Sequence, residues 1–285
     1  MSALLPRISI VTPSFNQRHF LEETMQSVLG QDYPDIEYVV IDGGSNDGSA
    51  DLLRANSSRL AYWVSEPDGG QTEAINKGFR RTTGEILAWL NSDDVYCPGA
   101  FRRVADFFLQ HPDLGAVVGD QETINASGQV LEVKKAVPVS YLQSLHSGCG
   151  VSQPATFFTR AAWTRAGELD ATLRYQMDYE YFVRLLRTGT RFGLIPTPLA
   201  RFRLHGSSKT VSQRDNSAWA LERRAVHDRY WRCGVQGSPR ELLRGTLSFA
   251  YRARMFLLRL ALRGVAIPFQ GVKARRRSFS SGIRN

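Results

Sequence analysis

The amino-acid sequence predicts an α/β protein with a mostly parallel sheet flanked by helices on both faces. Short apolar segments rich in Val and Ile alternate with segments of helical periodicity between residues 7 and 118. This alternation is typical of parallel strands joined by crossover helices. The strand-like segments are apolar at nearly every position, as in ILAWL at residues 86–90, which is expected of strands buried on both faces.

The first half of the chain contains five predicted strands and four predicted helices. Turn formers such as Pro13 and the DGGSNDG run at residues 42–48 separate them. The predicted strands are residues 7–12, 36–41, 60–64, 85–90 and 114–118, and the helices are residues 20–29, 49–53, 72–80 and 99–110.

The pattern changes after residue 119. ETINASGQVLEV predicts a hairpin that turns at Asn125–Gly128. The remaining predictions are strands at residues 155–159, 191–195 and 199–204, helices at residues 178–188, 212–232 and 239–263, and a basic, serine-rich, frayed end at residues 271–285.

Charge is distributed unevenly along the 285 residues. The net charge is +9, but residues 1–204 carry −4 whereas residues 205–285, with 17 Lys/Arg and 4 Asp/Glu, carry +13. A basic tail of this kind favours an anionic surface, either phospholipid or nucleic acid. A zinc finger or an aromatic-stacking sheet motif, which would favour nucleic acid, is not evident in the sequence.

Cysteine usage and hydropathy bear on the compartment. The three cysteines are widely spaced, which indicates neither a zinc site nor a disulfide framework. The MSALLPRISIV start has no long apolar region, and no run of 18 apolar residues occurs. We therefore expect a reduced, cytoplasmic chain without a membrane span.

Four polar residues, Asn91-Ser92-Asp93-Asp94, end the apolar run at residues 86–90. Adjacent carboxylates at the end of a central strand repel each other unless a cation lies beside them. Mg²⁺ and Mn²⁺ prefer such hard oxygen ligands, so Asp93 is the best metal candidate. The alternative is a capping cluster for the next helix.

Other acidic residues occupy comparable positions. Asp42 ends the second predicted strand, and Asp68 follows the third in Glu66-Pro67-Asp68-Gly69-Gly70. The carboxyl edge of an open α/β sheet is where such folds bind ligands. Either carboxylate could hold a base or ribose there, or could simply belong to a turn.

Asp178 and Glu180 lie at the start of the helix predicted at residues 178–188. Each could serve as a general base, or merely complement the helix dipole. His205 follows the RFRL strand and could ligate a metal, or could be an ordinary loop histidine.

Several nucleotide-binding and hydrolase classes are excluded by missing motifs. The sequence has no G-x-G-x-x-G after its first strand, no G-x-x-x-x-G-K-[ST] and no G-x-S-x-G. A nicotinamide dehydrogenase, a P-loop NTPase and a nucleophile-elbow hydrolase are therefore not expected.

Seven segments together resemble family 2 glycosyltransferases of the bacterial glycan-assembly type, over roughly residues 7–210. They are ISIVTPSFNQ (8–17), EYVVIDGGSNDGS (37–49), EPDGGQTEAINKG (66–78), LAWLNSDD (87–94), QPATFF (153–158), DYEYFVRL (178–185) and RFRLHGSSKT (201–210).

This resemblance implies a GT-A fold and inverting transfer of a sugar from a nucleotide diphosphate donor to the hydroxyl of a glycan or lipid-linked acceptor, aided by Mn²⁺ or Mg²⁺. It also implies roles for the residues singled out above. Pro13, Phe15, Asp42, Asp68, Asn91 and Ser92 would bind the donor nucleotide, Asp93 and His205 the metal, and Asp178 would be the base, with Asp94 and Glu180 as secondary candidates.

Two positions depart from the family pattern. The family's D-x-D motif begins here with Asn91, and its Glu-Asp pair is Met177-Asp178. Asn91 can still hydrogen-bond a ribose while Asp93 ligates the metal, and Asp178 remains as the base with Glu180 as the fallback.

The resemblance divides the chain into a catalytic domain at residues 1–210 and a basic helical extension at residues 211–285. The nucleotide-binding half would end near residue 119 and the acceptor half near residue 210. A chain that binds nucleotide sugars without catalysis is the alternative function.

The tail helix predicted at residues 239–263 is amphipathic. Residues 239–277 could bind the anionic inner face of the cell membrane. Packing on the catalytic domain is the alternative. Its apolar face holds Leu242, Phe249, Ala253, Phe256, Leu257 and Leu260, and its basic face Arg240, Arg244, Arg252, Arg259 and Arg263.

Overall fold

The structure is a computed structural model that describes residues 5–147, 150–206, 208, 217–231, 246–251, 253–254 and 256–257. Its strands are β1 (Ile8–Ser14), β2 (Ile36–Asp42), β3 (Tyr62–Ser65), β4 (Ile86–Trp89), β5 (Val95–Tyr96), β6 (Ala116–Asn125), β7 (Val130–Lys134), β8 (Thr156–Thr159) and β9 (Phe192–Leu204). Its helices are α1 (Arg18–Leu29), α2 (Ser49–Ala55), α3 (Gln71–Phe79), α4 (Ala100–Gln110), α5 (Tyr141–Ser147), α6 (Arg160–Ala166), α7 (Met177–Arg187) and α8 (Ser217–Tyr230).

These strands form one sheet in the order β3-β2-β1-β4-β8-β6-β9-β5, with β7 paired to β6. Strands β1 to β4, β6 and β9 run in one direction, and β5, β7 and β8 run against them. The mostly parallel sheet expected from the sequence is therefore confirmed, as is the β6–β7 hairpin. Because β1, β2, β3 and β4 are mutually parallel, their carboxyl ends meet along one rim.

Alternate residues of the central strands supply two hydrophobic cores, one on each face of the sheet. In β1, Ile8 and Ile10 join the core beneath α1, α2 and α4, whereas Val11 joins the core beneath α3, α6 and α7. In β4, Ala88 and Trp89 divide in the same way. This period of two explains why the strand segments are apolar throughout.

Three elements were not predicted, namely β5, α5 and α6. All are short, with two residues in β5 and seven in each helix, so their sequences contain too few repeats of a period to recognise. The predicted strands at 191–195 and 199–204 form the single strand β9. Its register against β6 shifts around Pro198, because proline lacks the N–H that an unbroken ladder requires.

The described residues of the C-terminal extension are helical except Trp231. Helix α8 lies within the predicted helix at 212–232, and the described residues between 246 and 257 are helical. Within this part of the chain, no helix combines the length and apolar character needed to cross a bilayer. The expected basic face of the tail and the frayed end at 271–285 lie outside the described residues.

We expect Gly78→Ala to destabilise the protein by about 1–3 kcal/mol through overpacking. A Cβ at this position of α3 would lie 2.3 Å from Cγ1 of Val11 in β1, whereas helix propensity alone would favour alanine by about 1 kcal/mol. Urea unfolding measures the balance.

The double variant Val11→Ala/Gly78→Ala is the control, because the smaller side chain makes room for the new methyl group. It should be less destabilised than the sum of the two single variants. A Gly78→Ala protein as stable as the parent would contradict this packing.

Candidate active site

The four polar residues predicted as a site begin directly after β4, at the rim formed by the parallel strands. Leu90 N–H donates to the Val11 carbonyl at 2.9 Å and extends the ladder by one step. The chain then turns, with Asp94 N–H donating to the Asn91 carbonyl at 3.1 Å. This tight turn points successive side chains in different directions, so the four residues have different surroundings.

Asp93 meets His205 at this rim. The Oδ2 atom of Asp93 lies 2.9 Å from Nε2 of His205, which follows the end of β9. Gln17, just before α1, approaches the same Oδ2 atom at 3.5 Å and accepts a hydrogen bond from Ser92. Three segments far apart in sequence thus converge on Asp93.

Asp94 lies beneath this pair and is fully buried. Burial raises the pKa of the Asp94 carboxyl well above its usual range, and the neighbouring Asp93 charge raises it further. The backbone N–H of Arg203 donates to Asp94 Oδ1 at 2.9 Å. Asp94 is thus held by the protein from below, and its surroundings favour a supporting role over direct ligand contact.

Arg203 joins the segments under the site. Its side chain is 1% exposed, and its Nε donates to the Asp93 carbonyl at 2.8 Å. One terminal nitrogen donates to the Ala126 carbonyl at 3.2 Å and the other to Glu23 of α1 at 2.6 Å. The guanidinium group therefore ties the turn after β4 to α1 and to the β6–β7 hairpin.

Two glutamines hold the Asn91 side chain. Gln71, the first residue of α3, donates to Asn91 Oδ1 at 2.6 Å, and Asn91 Nδ2 donates to Gln153 at 3.1 Å. Gln153 in turn donates to the Trp89 carbonyl at 2.8 Å. Because both ends of the amide are engaged, Asn91 is oriented in advance of any ligand.

Asp42 and Asp68 meet at the neighbouring part of the rim. Asp42 is fully buried and accepts hydrogen bonds from the hydroxyls of Ser45 and Ser65, each at 2.6 Å. The Asp68 carboxylate lies over Gly43, where a Cβ would be 3.2 Å from its oxygens. Partial burial raises the pKa of Asp68, with smaller upward contributions from the charges of nearby carboxylates.

The end of β1 borders these carboxylates. Pro13 pairs with Ile41 in the ladder, and the Ser14 carbonyl accepts the Gly43 N–H at 2.9 Å. Phe15 follows with 63% of its surface exposed. An exposed aromatic ring beside two carboxylates could stack on a nucleobase.

Asp178 occupies the first turn of α7, where it accepts the N–H of Tyr179 at 2.7 Å. The start of α7 packs against the start of α3, since the Thr72 hydroxyl lies 2.7 Å from the Met177 sulfur. Gln71, next to Thr72, bonds the Asn91 amide. This chain of contacts links the base candidate to the rim.

Glu180 faces a different environment, because two residues of helix rotate a side chain by about 200°. It is buried and accepts two hydrogen bonds from Arg184, both at 2.9 Å. The Tyr230 hydroxyl of α8 donates to it as well. These contacts favour a structural role for Glu180, which leaves Asp178 as the base candidate.

The donor set at the rim fits a divalent cation only in combination with a substrate. Within the described residues, no group of three or more His, Cys, Asp or Glu side chains is arranged to hold a metal. Asp93 and His205 provide two ligand atoms. Mg²⁺ commonly uses one or two carboxylates together with substrate phosphates and water, so the pair is compatible with a cation that arrives with a diphosphate.

Sequence reasoning gave no role to Gln17, Gln71, Gln153 or Arg203. Each belongs to a segment that carried the family resemblance, but no local spacing relates it to its partner. The available signal was an arginine two residues before His205 in the RFRLH run, because alternate residues of an extended segment share a face.

We expect Arg203→Met to lower the free energy of unfolding by about 2–4 kcal/mol, because it removes the guanidinium donor from the Asp93 and Ala126 carbonyls and the positive charge from beside Asp94. Arg201→Met is the matched control on the same strand. Arg201 pairs with Glu122 in a partly exposed ion pair, which predicts a loss below about 1 kcal/mol. Urea unfolding of both variants tests the difference, and equal losses would contradict the role of Arg203.

Comparison with known proteins gives matches to glycosyltransferases. The model for "Glycosyl transferase family 2" matches residues 9–144. An uncharacterized glycosyltransferase of Mycobacterium tuberculosis is 30% identical over 194 residues, which is 63% of this chain and 68% of that protein. One from Rickettsia typhi is 27% identical over 65% of this chain and 60% of its own length, and one from Rickettsia conorii is matched over 42% of its length. The chain thus spans only part of these relatives.

Solved structures share the architecture. TarS of S. aureus, residues 1–349 in complex with UDP-GlcNAc, superposes with a TM-score of 0.66 and 15% identity over 88% of this chain and 73% of that one. The mannosyltransferase PcManGT from Pyrobaculum calidifontis, in complex with GDP-Man and Mn²⁺, superposes with a TM-score of 0.57 and 20% sequence identity, over 93% of this chain and 78% of that one. At these identities the likeness establishes the GT-A fold. Sequence and fold together show that the chain belongs to glycosyltransferase family 2.

Proposed function

We propose that this chain transfers a sugar from a nucleoside diphosphate sugar to an acceptor hydroxyl, with inversion at the anomeric carbon, in the assembly of a bacterial polysaccharide or cell-envelope glycan. Family membership supports the reaction class. The observation that carries the proposal is the 2.9 Å approach of Asp93 to His205 beside the buried carboxylates of the sheet rim. A cation bound to these two side chains would carry the donor's diphosphate at this rim.

Donor binding is assigned to the rim at the ends of β1, β2 and β4. We assign Asp42 and Asp68 to the base and ribose, with the Pro13 backbone and the exposed Phe15 ring beside them. Asp42 is fully buried and already accepts hydrogen bonds from Ser45 and Ser65, so it would exchange one of them for the ligand. Asn91 and Ser92 continue this surface toward Asp93. The neighbours named above were solved in complex with UDP-GlcNAc and with GDP-Man and Mn²⁺, which supports a nucleotide sugar as the class of donor.

Asp93 and His205 are assigned to a divalent cation, Mn²⁺ or Mg²⁺. When bound, such a cation stabilises the negative charge that develops on the departing diphosphate. Gln17 and Arg203 both contact Asp93, Gln17 at its carboxylate and Arg203 at its backbone carbonyl. The protein therefore orients this carboxylate before the donor arrives.

Asp178 is assigned as the general base. The acceptor oxygen forms a bond to the anomeric carbon while the bond from that carbon to the diphosphate oxygen breaks, and the acceptor proton passes to the Asp178 carboxylate. The nucleoside diphosphate leaves on the opposite face, so one displacement inverts the centre and no glycosyl-enzyme intermediate is required. A positioned base contributes roughly 10²–10⁴-fold to such a step.

The C-terminal extension is assigned to an anionic membrane surface. In the helical segment between residues 246 and 257, Tyr251 stacks on His146 of α5 at 5.8 Å and turns one side of the segment inward. Phe249, Phe256 and Leu257 are each at least half exposed. An outward apolar face on a chain region of net charge +13 fits an anionic bilayer better than a purely electrostatic partner.

A thermal-shift screen of nucleotide sugars with Mn²⁺ identifies the donor, because a ligand that binds only the folded protein raises its stability. We expect Asp178→Asn to keep the donor-induced shift and to lower the transfer rate by about 10²–10⁴-fold. Asp93→Asn should lose the metal-dependent part of the shift. Asp106→Asn, in an exposed ion pair on α4, is the control and should behave as the parent.

Full transfer activity in both Asp93→Asn and Asp178→Asn would exclude the proposed roles of these two carboxylates. A donor-induced shift in the parent protein without turnover on any acceptor would favour the alternative, a nucleotide-sugar-binding protein.

Membrane docking predicts that Phe249→Asp/Phe256→Asp weakens binding to phosphatidylserine-containing vesicles at least tenfold, since each buried aromatic ring is worth about 1.5–3 kcal/mol. Leu131→Asp, at a similarly exposed apolar position on β7, is the control. Binding of the parent should partly survive high salt. Complete loss in salt, or stronger binding to DNA than to the vesicles, would contradict the proposal.

A further inference from the structure

Helix α8 from the C-terminal extension caps the start of α7. The Glu222 carboxylate accepts three successive backbone N–H groups, from Arg174 at 3.0 Å, Tyr175 at 2.8 Å and Gln176 at 3.0 Å. Gln176, the residue at the N-cap position of α7, makes no capping hydrogen bond with its own side chain. Glu222 therefore supplies the anion that a helix start favours, from a different part of the chain.

A second contact ties α8 to the loop between α6 and α7. Arg229 of α8 donates to Asp170 at 2.7 Å, near the beginning of this loop. Within the first turn of α7 itself, the Tyr230 hydroxyl of α8 donates to the buried Glu180. The loop is thus attached to α8 near both of its ends, and Glu222 is one of several anchors.

On its other side the same loop is attached to α3. Asn76 forms two hydrogen bonds with the Leu169 backbone, at 2.8 and 2.9 Å, and the Thr72 hydroxyl donates to the Leu173 carbonyl at 3.2 Å. Helix α3 begins at Gln71, which orients Asn91 of the donor rim. The loop therefore lies between the donor half and the C-terminal extension, and it leads directly into Asp178.

We propose that Glu222 is a positioning residue for transfer, and that it acts through the backbone of residues 174–176 to set the direction of the Asp178 carboxylate. The inference rests on the proposed function, because it assumes that Asp178 accepts the acceptor proton. It makes α8 part of the catalytic unit, in addition to any role of the extension at a membrane. Glu222 itself touches neither substrate nor metal in this proposal.

The expected size of the effect follows from geometry. A displacement of about 1 Å in a reacting group can cost on the order of 10² in rate. Without Glu222, the N–H groups of residues 174–176 would hydrogen-bond to water instead. The backbone before Asp178 would then no longer be held in one position by the Glu222 carboxylate. Asp170, Leu169 and Leu173 keep their own contacts, so the loop and the donor rim should remain folded.

The test compares Glu222→Ala and Glu222→Gln in the full chain. We expect Glu222→Ala to lower kcat for transfer at least tenfold while the donor Kd changes less than twofold. Glu222→Gln should have an intermediate kcat, because its one carbonyl oxygen can still accept the N–H groups of Tyr175 and Gln176. Arg224→Gln is the control on the same helix, since Arg224 lies in a mostly exposed pair with Asp228.

Amide hydrogen exchange provides a readout that does not depend on activity. The amides of residues 174–176 should exchange faster in Glu222→Ala than in the parent, while those of α3 remain unchanged. Unchanged exchange, or a parental kcat in Glu222→Ala, would overturn the inference and leave the proposed function intact. A parallel loss of donor affinity and kcat would also overturn it, because that result indicates general destabilisation. Absence of transfer by the parent protein would instead count against the proposed function itself.

Discussion

The arrangement of the site depends on keeping two adjacent carboxylates, Asp93 and Asp94, at the end of a central strand. Desolvation and mutual repulsion both oppose this, as the raised pKa of Asp94 indicates. Arg203 provides the compensation from within the protein, with its N–H on Asp94 and its guanidinium on the Asp93 carbonyl. A cation on the solvent side of Asp93 would compensate from the other direction. The protein thus supplies positive charge on one side of the turn, and the proposed cation would supply it on the other.

This constraint explains why β9 must reach the rim. Strand β9 carries Arg203, and His205 lies just beyond its end, so one segment supplies both the buried cation and the proposed metal ligand. Phe20 of α1 packs against both, with the guanidinium carbon 4.9 Å from its ring centre and the His205 ring 4.7 Å away. The register shift at Pro198 sets the pairing of this part of β9 with β6. Fold and site thus share the same strand.

Much of the fold could be predicted because its information is local. Asp42 and Asn91 end apolar segments, and parallel strands bring such ends together whatever the loops do. The supporting residues could not be found in this way. Gln17 and Asp93 are separated by 76 residues and Arg203 and Asp93 by 110, and no periodicity encodes contacts at such separations. The short elements β5 and α6 were missed for the opposite reason, since each contains too few residues to display a period.

The C-terminal extension shows why the sequence alone left its role undecided. Its charge and amphipathic pattern indicate an anionic surface, whereas Glu222, Arg229 and Tyr230 of α8 contact the loop and helix that carry Asp178. For the tail helix at residues 239–263 the sequence left two alternatives, docking on a membrane and packing on the catalytic domain. In its described part, Tyr251 stacks on His146 of α5, whereas Phe249 and Phe256 are at least half exposed. Helix α8 packs on the catalytic domain, and residues near 249–257 leave aromatic side chains exposed. In sequence, α8 lies between α7 and the segment near residues 249–257. A membrane surface that binds this outer segment would therefore be connected, through α8, to the start of α7. Under the proposed function, an acceptor anchored in that surface would meet Asp178, the proposed base, whose backbone is fixed by the same extension.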